Sequence, residues 1–486
     1  MLFTMLVTLY TSRVVLRELG VDDFGIYQVV GGVVGMLSFL NASLGAGTSR
    51  FLTFELGTGN FEKLKKTFST TLSLHIIIAG VIFLLAETIG LWFVLNKLMI
   101  PAERMEAALW VYHFSILTAM VTITQVPYNA SIVAHEKMNV YAYVSIAEVC
   151  VKLGLVFLLQ LIDWDKLKLY AFLLCIVQVG IALFYRFYCV SCFKETKYNF
   201  ILDKKIFKAV AGFSGWSLFA SSSVALNEQG TAIITNMFFG PSVVTARALS
   251  IQVNMAVNQF ILNFRKAVDP RIIKDYALRK YEESKHLLLS STKYSFYLMF
   301  LLGFPVILLA DPLLHLWLTE VPEYTIVFLR LIIVQSLFSV FDLSFYTALY
   351  AKGRLRENAL ISPMLGFMRF PIVYILFKSG FSPVVLSYAG IVTHALLGLV
   401  IKPLLISKIV DYDFKDILKV FGSCGKVVLF ALPIPLLCFY FLGKSFREAL
   451  FLLVISVLCT SISIYFAGID RGIRHKIRSL IEERIR

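Results

Sequence analysis

The chain has 486 residues, 58% of them hydrophobic, with a mean hydropathy of +0.78, well above the roughly 45–50% apolar usage of soluble domains. A soluble globular protein is thereby excluded. Its 46 Lys and Arg against 31 Asp and Glu give a net charge of +15, but these charges collect between apolar windows rather than on a basic soluble face, which argues against a nucleic-acid partner.

A helix needs about 20 largely apolar residues to cross a hydrocarbon core of about 30 Å. Some fourteen such windows are predicted, in chain order, at 1–15, 27–47, 69–95, 107–133, 139–161, 168–190, 210–237, 244–264, 290–310, 324–350, 359–377, 383–406, 425–442 and 449–468. Only twelve residues precede Arg13 in the first window, too few to cross unaided. Either the start lies further upstream or the first helix is incomplete; no small-residue signal-peptide cleavage site follows it. Pro127 in the fourth window and Pro305 in the ninth mark expected kinks. The connections are mostly short, so the chain reads as an all-α integral membrane protein.

Charge sets the orientation. Roughly 32 of the Lys and Arg fall in alternate loops beginning at 50–66 and only about 10 in the others, a bias that assigns the first set and both termini to the cytoplasm. The inner clusters are Lys194–Lys208, Arg265–Lys293, Lys352-Gly-Arg354-Leu-Arg356 and the tail Arg471–Arg486.

An internal repeat organises the windows. Gly20 matches Gly240 at an offset of 220, and the same shift lays Phe61-Glu62 on Tyr281-Glu282, Lys65 on Lys285 and Thr70-Thr71 on Ser290-Ser291. An offset of 217 aligns Glu103 and Glu106 with Glu320 and Glu323, and Ala134-His-Glu-Lys137 with Ala351-Lys-Gly-Arg354. Two six-helix halves are expected, 1–205 and 206–408, followed by a final helix pair and basic tail over 409–486. Six spans per half make the repeats parallel about the membrane normal.

Several chemistries find no residues. Gly422-Ser-Cys-Gly425-Lys426 lacks the spacing and hydroxyl of a phosphate loop, so the chain is not its own ATPase. The seven histidines show no metal-ligand spacing and there is no nucleophile elbow; no catalytic residue, metal or cofactor is expected. The seven cysteines indicate no disulfide framework, and Cys189-Val-Ser-Cys192 lacks a thioredoxin-like context. A glycan polymerase or ligase would be expected to carry a sizeable outer loop, and the longest ones lie around Asn96–Glu106 and Asp311–Tyr324.

What remains are ionisable groups inside the windows, which are costly in hydrocarbon and point to a water-filled or bundle-interior location. Lys152, Arg330, Arg369 and Lys426 are the basic ones; Arg13, Arg17, Arg50 and Arg247 sit near window ends. Glu87, Glu148, Glu228, Asp342 and Asp269 are the acids. Glu148 and Lys152 are four residues apart and can neutralise each other, and the end-of-window arginines can snorkel to head groups. Arg247, Asn254, Asn258 and Arg265 follow at steps of seven, four and seven, one stripe of a helix facing protein or water; interhelical hydrogen bonding is the plainer role for such asparagines. Ser221-Ser-Ser223, Asn227, Glu228 and Asn236 give the preceding window a small, polar wall.

The opening Tyr10-Thr-Ser-Arg13-Val-Val-Leu-Arg17-Glu-Leu-Gly20-Val-Asp-Asp-Phe-Gly25-Ile-Tyr27, then Gly31-Gly32, Ser49-Arg50-Phe-Leu-Thr-Phe-Glu55-Leu-Gly57, Val126-Pro127-Tyr-Asn129 and Ala134-His-Glu-Lys137-Met, resemble the Wzx-type flippases, polysaccharide transporters of the multidrug/oligosaccharidyl-lipid/polysaccharide (MOP) superfamily, related to the MurJ and MATE transporters. The resemblance covers nearly the whole chain, with the short first helix as its one departure. It implies two six-helix bundles forming a V, two added C-terminal helices, and movement of an undecaprenyl-diphosphate-linked oligosaccharide from the inner to the outer leaflet of the bacterial cytoplasmic membrane. On that expectation Arg247, Arg330 and Arg369 bind the diphosphate, with Lys152, Arg13 and Arg50 behind them, and Asn254 and Asn258 contact sugars. Glu148, Glu228 and Asp342 are the expected coupling carboxylates, since a buried acid with a raised pKa can exchange protons. Membrane lipids, and by family analogy a glycan polymerase or ligase of the same pathway, are the expected partners. The alternative is a proton- or sodium-coupled exporter of the MATE type, which should rely on acidic and aromatic cavity residues.

Overall fold

The computed structural model describes residues 2–201, 203–353, 355–441, 446–469 and 474. Of the basic clusters read from the sequence, Arg354 and all of the tail except Arg474 lie outside the described residues. Every element among the described residues is helical. Among the described residues, eleven helices are long and apolar enough to cross a membrane, or twelve if the bent pair Phe3–Gly35 and Phe39–Thr58 is one span. Two continuous runs, Leu2–Gly35 and Thr231–Ala277, are each broken by a left-handed glycine, Gly20 (φ 80°) and Gly240 (φ 78°). Dividing them there agrees with the fourteen windows of the sequence. The chain is a multi-pass membrane protein with an all-helical fold.

Six of the nine left-handed positions among the described residues repeat the sequence offsets; Tyr324, Gly380 and Asp411 do not. Gly20 and Gly240 share one conformation, with ψ 173° and −176°. At the same offset of 220, Gly59 (φ 71°) pairs with Arg279 (φ 62°); at 217, Glu136 (φ 58°) pairs with Gly353 (φ 74°). Each closes a turn between two helices. Arg279 and Glu136 adopt a conformation that costs a non-glycine residue roughly 1 kcal/mol, so the turn geometry, not local preference, fixes them.

Two compact units make up the chain: 1–248 with 363–383, and 249–362 with 384–486. The first contains α1 (Leu2–Gly35), α2 (Phe39–Thr58), α3 (Phe61–Leu85), α4 (Leu91–Lys97), α5 (Met105–Ala134), α6 (Met138–Leu161), α7 (Lys166–Cys192), α8 (Lys204–Ala225), the first part of α9 (Thr231–Ala277) and most of α13 (Leu355–Lys378). Its core includes Leu52, Phe68, Tyr128, Ile132 and Cys189. The first helix runs on to Gly20, so Arg17 as well as Arg13 lies within it rather than beyond the predicted end at 15, both on an exposed face.

The two glycine corners meet in a reciprocal contact. Thr245 Oγ1 donates to the Val21 carbonyl at 2.7 Å, while Gly25 approaches Pro241 so closely that a Cβ there would lie 2.1 Å from its carbonyl oxygen. Under the offset of 220, Val21 corresponds to Pro241 and Gly25 to Thr245, so each contact is the image of the other. Gly25→Ala must part the two corners. Overpacking against backbone costs about 1–3 kcal/mol or more, and a melting temperature lowered by several degrees in detergent is the expected result.

On the side of the α1 corner, Arg104 ties three connections together. Its guanidinium donates to both carboxylate oxygens of Asp23, with Nε at 2.8 Å, and Nη1 donates to Asp165 at 2.7 Å. Asp165 also caps α7 by accepting from the Leu167 and Lys168 amides. Burial pushes the Asp165 carboxyl up, but the hydrogen bonds from Arg104 and the Lys168 amide outweigh it and hold the group below the usual carboxylate range. A depressed folded value contributes stability above the unfolded pKa and loses it as pH falls through the folded one. Arg104→Ala should cost about 1–3 kcal/mol, and Asp165→Asn should flatten the fall in melting temperature below about pH 4.

The second unit holds the rest of α9, then α10 (Tyr281–Leu308), α11 (Ala310–Trp317), α12 (Thr325–Ala351), α14 (Val385–Ala395), α15 (Lys402–Ile409), α16 (Phe414–Ala431), α17 (Pro433–Phe441) and α18 (Phe446–Ser463). The basic stretch from Arg265, read as a loop, is helical to Ala277, supported by Arg265–Asp269 (2.5 Å) and Arg271–Asp275 (2.9 Å) pairs one turn apart. Pro305 lies four residues before the break between α10 and α11 at Leu309.

Candidate functional site

The first unit gathers two of the three expected arginines. The last turn before α9 is a π-helix, Leu226–Gly230, a widening that recurs at functional sites. It carries Glu228 on an exposed face. Beyond the Gly240 corner, Arg247 is half-buried, and Arg369 of α13 is only 8% exposed. Pro363 and Pro371 flank Arg369; the Pro363 carbonyl accepts a hydrogen bond from Ser223 at 3.0 Å, which fixes α13 against α8. Arg247 feels both neighbours electrostatically, repelled by Arg369 and attracted by Glu228. Among the described residues the side chains of Arg247 and Glu228 make no hydrogen bond or ion pair. Arg247 thus keeps its guanidinium donors without a described partner, half-buried in the field of a second cation and a carboxylate, and such a group is suited to meet an anion.

Arg330 is placed elsewhere. In the second unit its Nε donates to the Ile307 carbonyl at 3.1 Å and its guanidinium lies 5.9 Å over the Phe439 ring, so it ties α12 to the end of α10 and to α17. Asn254 and Asn258 form a closed triangle with Ser336 of α12. Ser336 Oγ donates to Asn254 Oδ1 at 2.8 Å, and Asn258 Nδ2 donates to Asn254 Oδ1 at 2.9 Å and to Ser336 Oγ at 3.2 Å. The triangle is interhelical bonding of the kind common in membrane bundles. It leaves Asn254 Nδ2 and Asn258 Oδ1 for another partner. At the end of the stripe, Arg265 is buried against Ser291 (3.0 Å) and Thr347 (2.9 Å).

The expected carboxylates divide in the same way. Glu148 pairs with Lys152 at 2.6 Å within one helix, the mutual neutralisation their spacing allows. Asp342 pairs at 3.0 Å with Lys402, whose side chain is 2% exposed and lies 5.6 Å over the Tyr346 ring. Glu87 meets His113 at 3.1 Å. Arg13 and Arg50 are exposed, Arg50 lying 5.7 Å over Phe51, and Lys426 is exposed on α16. Asn236 bonds both backbone groups of Met99 and is committed to structure. Lys402 and Arg104 were missed by reading the sequence. Lys402 carried the same signal as Arg369, a charge inside an apolar window, whereas Arg104 gave none because loop charges are ordinary.

No protein-family model matches the chain, and no curated protein matches it. Solved structures do. The lipid II flippase MurJ in an inward closed conformation superposes with a TM-score of 0.73 at 13% identity, over 95% of this chain and 96% of that one. This is the fold of the MOP-superfamily transporters. An inward-facing multidrug resistance MATE-family transporter of that superfamily gives a TM-score of 0.69 at 15% identity over 86% and 94% of the two chains. A MOP-superfamily transporter from Pyrococcus furiosus, described by the reversed polarity of its binding pocket, gives 0.55 at 14% identity over 86% and 95%.

Proposed function

We propose that this protein is a flippase that moves an undecaprenyl-diphosphate-linked oligosaccharide from the inner to the outer leaflet of the bacterial cytoplasmic membrane, with both termini cytoplasmic. The observation that carries this reading is Arg247, whose side chain makes no hydrogen bond or ion pair among the described residues and lies in the field of Arg369 and Glu228. A diphosphate cannot cross hydrocarbon bare, and arginine meets phosphate oxygens through a fork of donors. Asn254 Nδ2 and Asn258 Oδ1 are the sugar-facing groups in this reading, and Glu228, unpaired beside the arginines, is the coupling carboxylate. Asp342 and Glu148, each held by a lysine, have structural roles instead.

The matched left-handed turns and the reciprocal corner contact support two repeated halves, 1–205 and 206–408, with 409–486 added. Alternating access then follows from rocking one repeat against the other.

The fold alone is shared with drug exporters, so the test must separate the two. Expression in a drug-sensitive, exporter-deleted strain should give no resistance to cationic dyes, while deletion of the gene should stop surface glycan export and Arg247→Ala should fail to restore it. Dye resistance together with normal export by the Arg247→Ala protein would overturn the flippase reading.

A further inference from the structure

We propose, independently of the flippase reading, that Glu87 and His113 form a proton-binding clasp in the first unit, one that holds the end of α3 to α5 when a proton is bound and loosens as it leaves. The clasp sits on a built irregularity. Between α3 and α4 the chain makes a π turn, Ala86–Gly90, a widening that recurs at functional sites. The Tyr112 hydroxyl of α5 donates to the Ala86 carbonyl inside that turn at 2.6 Å. Gly90 leaves it room, since a Cβ there would lie 2.3 Å from the hydroxyl oxygen. The next residue on each helix supplies the titratable pair, His113 Nδ1 donating to Glu87 Oε1 at 3.1 Å.

The second unit makes the same contact with a different chemistry. At the offset of 220 the π turn falls on 306–310, where α10 breaks before α11. Glu87 then corresponds to Ile307, and at 217 His113 corresponds to Arg330, whose Nε donates to the Ile307 carbonyl. Each repeat thus ties its irregular turn with one side chain from the following long helix. In the second unit the grip is a guanidinium, charged at every working pH, on a neutral carbonyl. In the first it is an imidazole, the side chain whose ordinary titration lies between pH 5 and 8, on a carboxylate. A bound proton completes an ion pair there, and its loss leaves a carboxylate without a counter-charge.

The surroundings make that loss matter. Glu87 lies ten residues before the end of α4 and His113 eight after the start of α5, about 15 and 12 Å along the helices at 1.5 Å per residue, well within a hydrocarbon core of about 30 Å. Their side chains are 28% and 52% exposed, flanked one turn away by exposed Leu84, Trp110 and Leu117. An ionised carboxylate alone on such a face is costly. The charges of the neighbouring elements are already engaged or distant. Lys168 of α7 is held by Glu106 at 2.6 Å, Lys152 of α6 by Glu148, and Lys97 at the end of α4 lies over the Trp92 ring. α1 reaches this level at Gly31, against Ser115 of α5; its nearest titratable group, Tyr27, packs edge-on against Tyr170 of α7 at 4.9 Å. Arg50 and Glu55 of α2 lie in the half of that helix next to the Gly59 turn, at the opposite end of α3.

Amide hydrogen exchange over residues 84–97, on the full-length protein in nanodiscs between pH 6 and pH 8, tests the clasp, with each rate divided by the intrinsic rate of the unfolded peptide at that pH. Protection in wild type should fall by about threefold or more as pH rises, the signature of local opening. His113→Arg, which copies the second unit, should stay protected at both ends of the range. His113→Gln and Glu87→Gln should each give a level profile, and either one decides if the other does not fold. A merely structural pair would lower protection by the same factor at every pH. A level wild-type profile overturns the clasp, and so does a fall that persists unchanged in His113→Gln and Glu87→Gln.

Discussion

Lys402→Met is expected to destabilise the protein by about 3–5 kcal/mol, because it strands the Asp342 carboxylate in a bundle interior. The ammonium is almost fully enclosed, 3.0 Å from the half-buried Asp342 carboxylate and over the Tyr346 ring. Asp342→Asn should be damaging for the converse reason, leaving a buried ammonium. The double variant Asp342→Asn, Lys402→Met removes both charges, and a similar volume of neutral side chain is often tolerated or even stabilising. Thermal unfolding in detergent reads all three. Recovery of most of the loss in the double variant is the expected outcome. Losses that simply add would show that the two residues act independently and that the pair is not held by its charges.

The second large effect falls on transport. Arg247→Ala and Arg369→Ala should each reduce flipping by roughly thirtyfold or more at unchanged protein level, since removing one partner of a desolvated charge contact costs at least about 2 kcal/mol. Arg→Lys at either position should restore only part of it: the charge returns but the planar fork does not. Arg247→Ala should leave the melting temperature unchanged or raise it, because it relieves the repulsion from Arg369 and breaks no described contact. That combination, activity down and stability level or up, is what distinguishes a binding group from a structural one. Arg330→Ala should do the reverse, lowering stability through its contacts with Ile307 and Phe439 with transport reduced only in proportion.

The spans and the corners were legible in the sequence because each has a local physical cause. Apolar windows of membrane length announce helices, and Gly20 and Gly240 mark breaks because only glycine enters the left-handed region without penalty. Gly59, Arg279 and Glu136 show the limit: two of these three turns use non-glycine residues, so composition did not announce them, and their match to the repeat offsets became visible only in the backbone. For the candidate site, a charge inside an apolar window identified Arg247, Arg369, Asp342 and Arg330 alike. It did not say which way each faces, since helix rotation is set by neighbours. Arg330 turned out to serve helix packing, and Asn254 with Asn258 forms an interhelical triangle, because the partners Ser336, Ile307 and Phe439 lie 78 or more, 23 and 109 positions away along the chain. Arg265–Asp269 was readable from its one-turn spacing, as was Glu148–Lys152.

Leaflet accessibility of a lipid-linked oligosaccharide in sealed proteoliposomes, probed with a membrane-impermeant glycosidase, tests the central claim most directly. Protein-dependent exposure of the inner-leaflet pool, lost on replacing Arg247 and Arg369 together, is the expected result. An inner pool that stays protected with wild-type protein, across several diphosphate-linked substrates and with a proton or sodium gradient imposed, would contradict it.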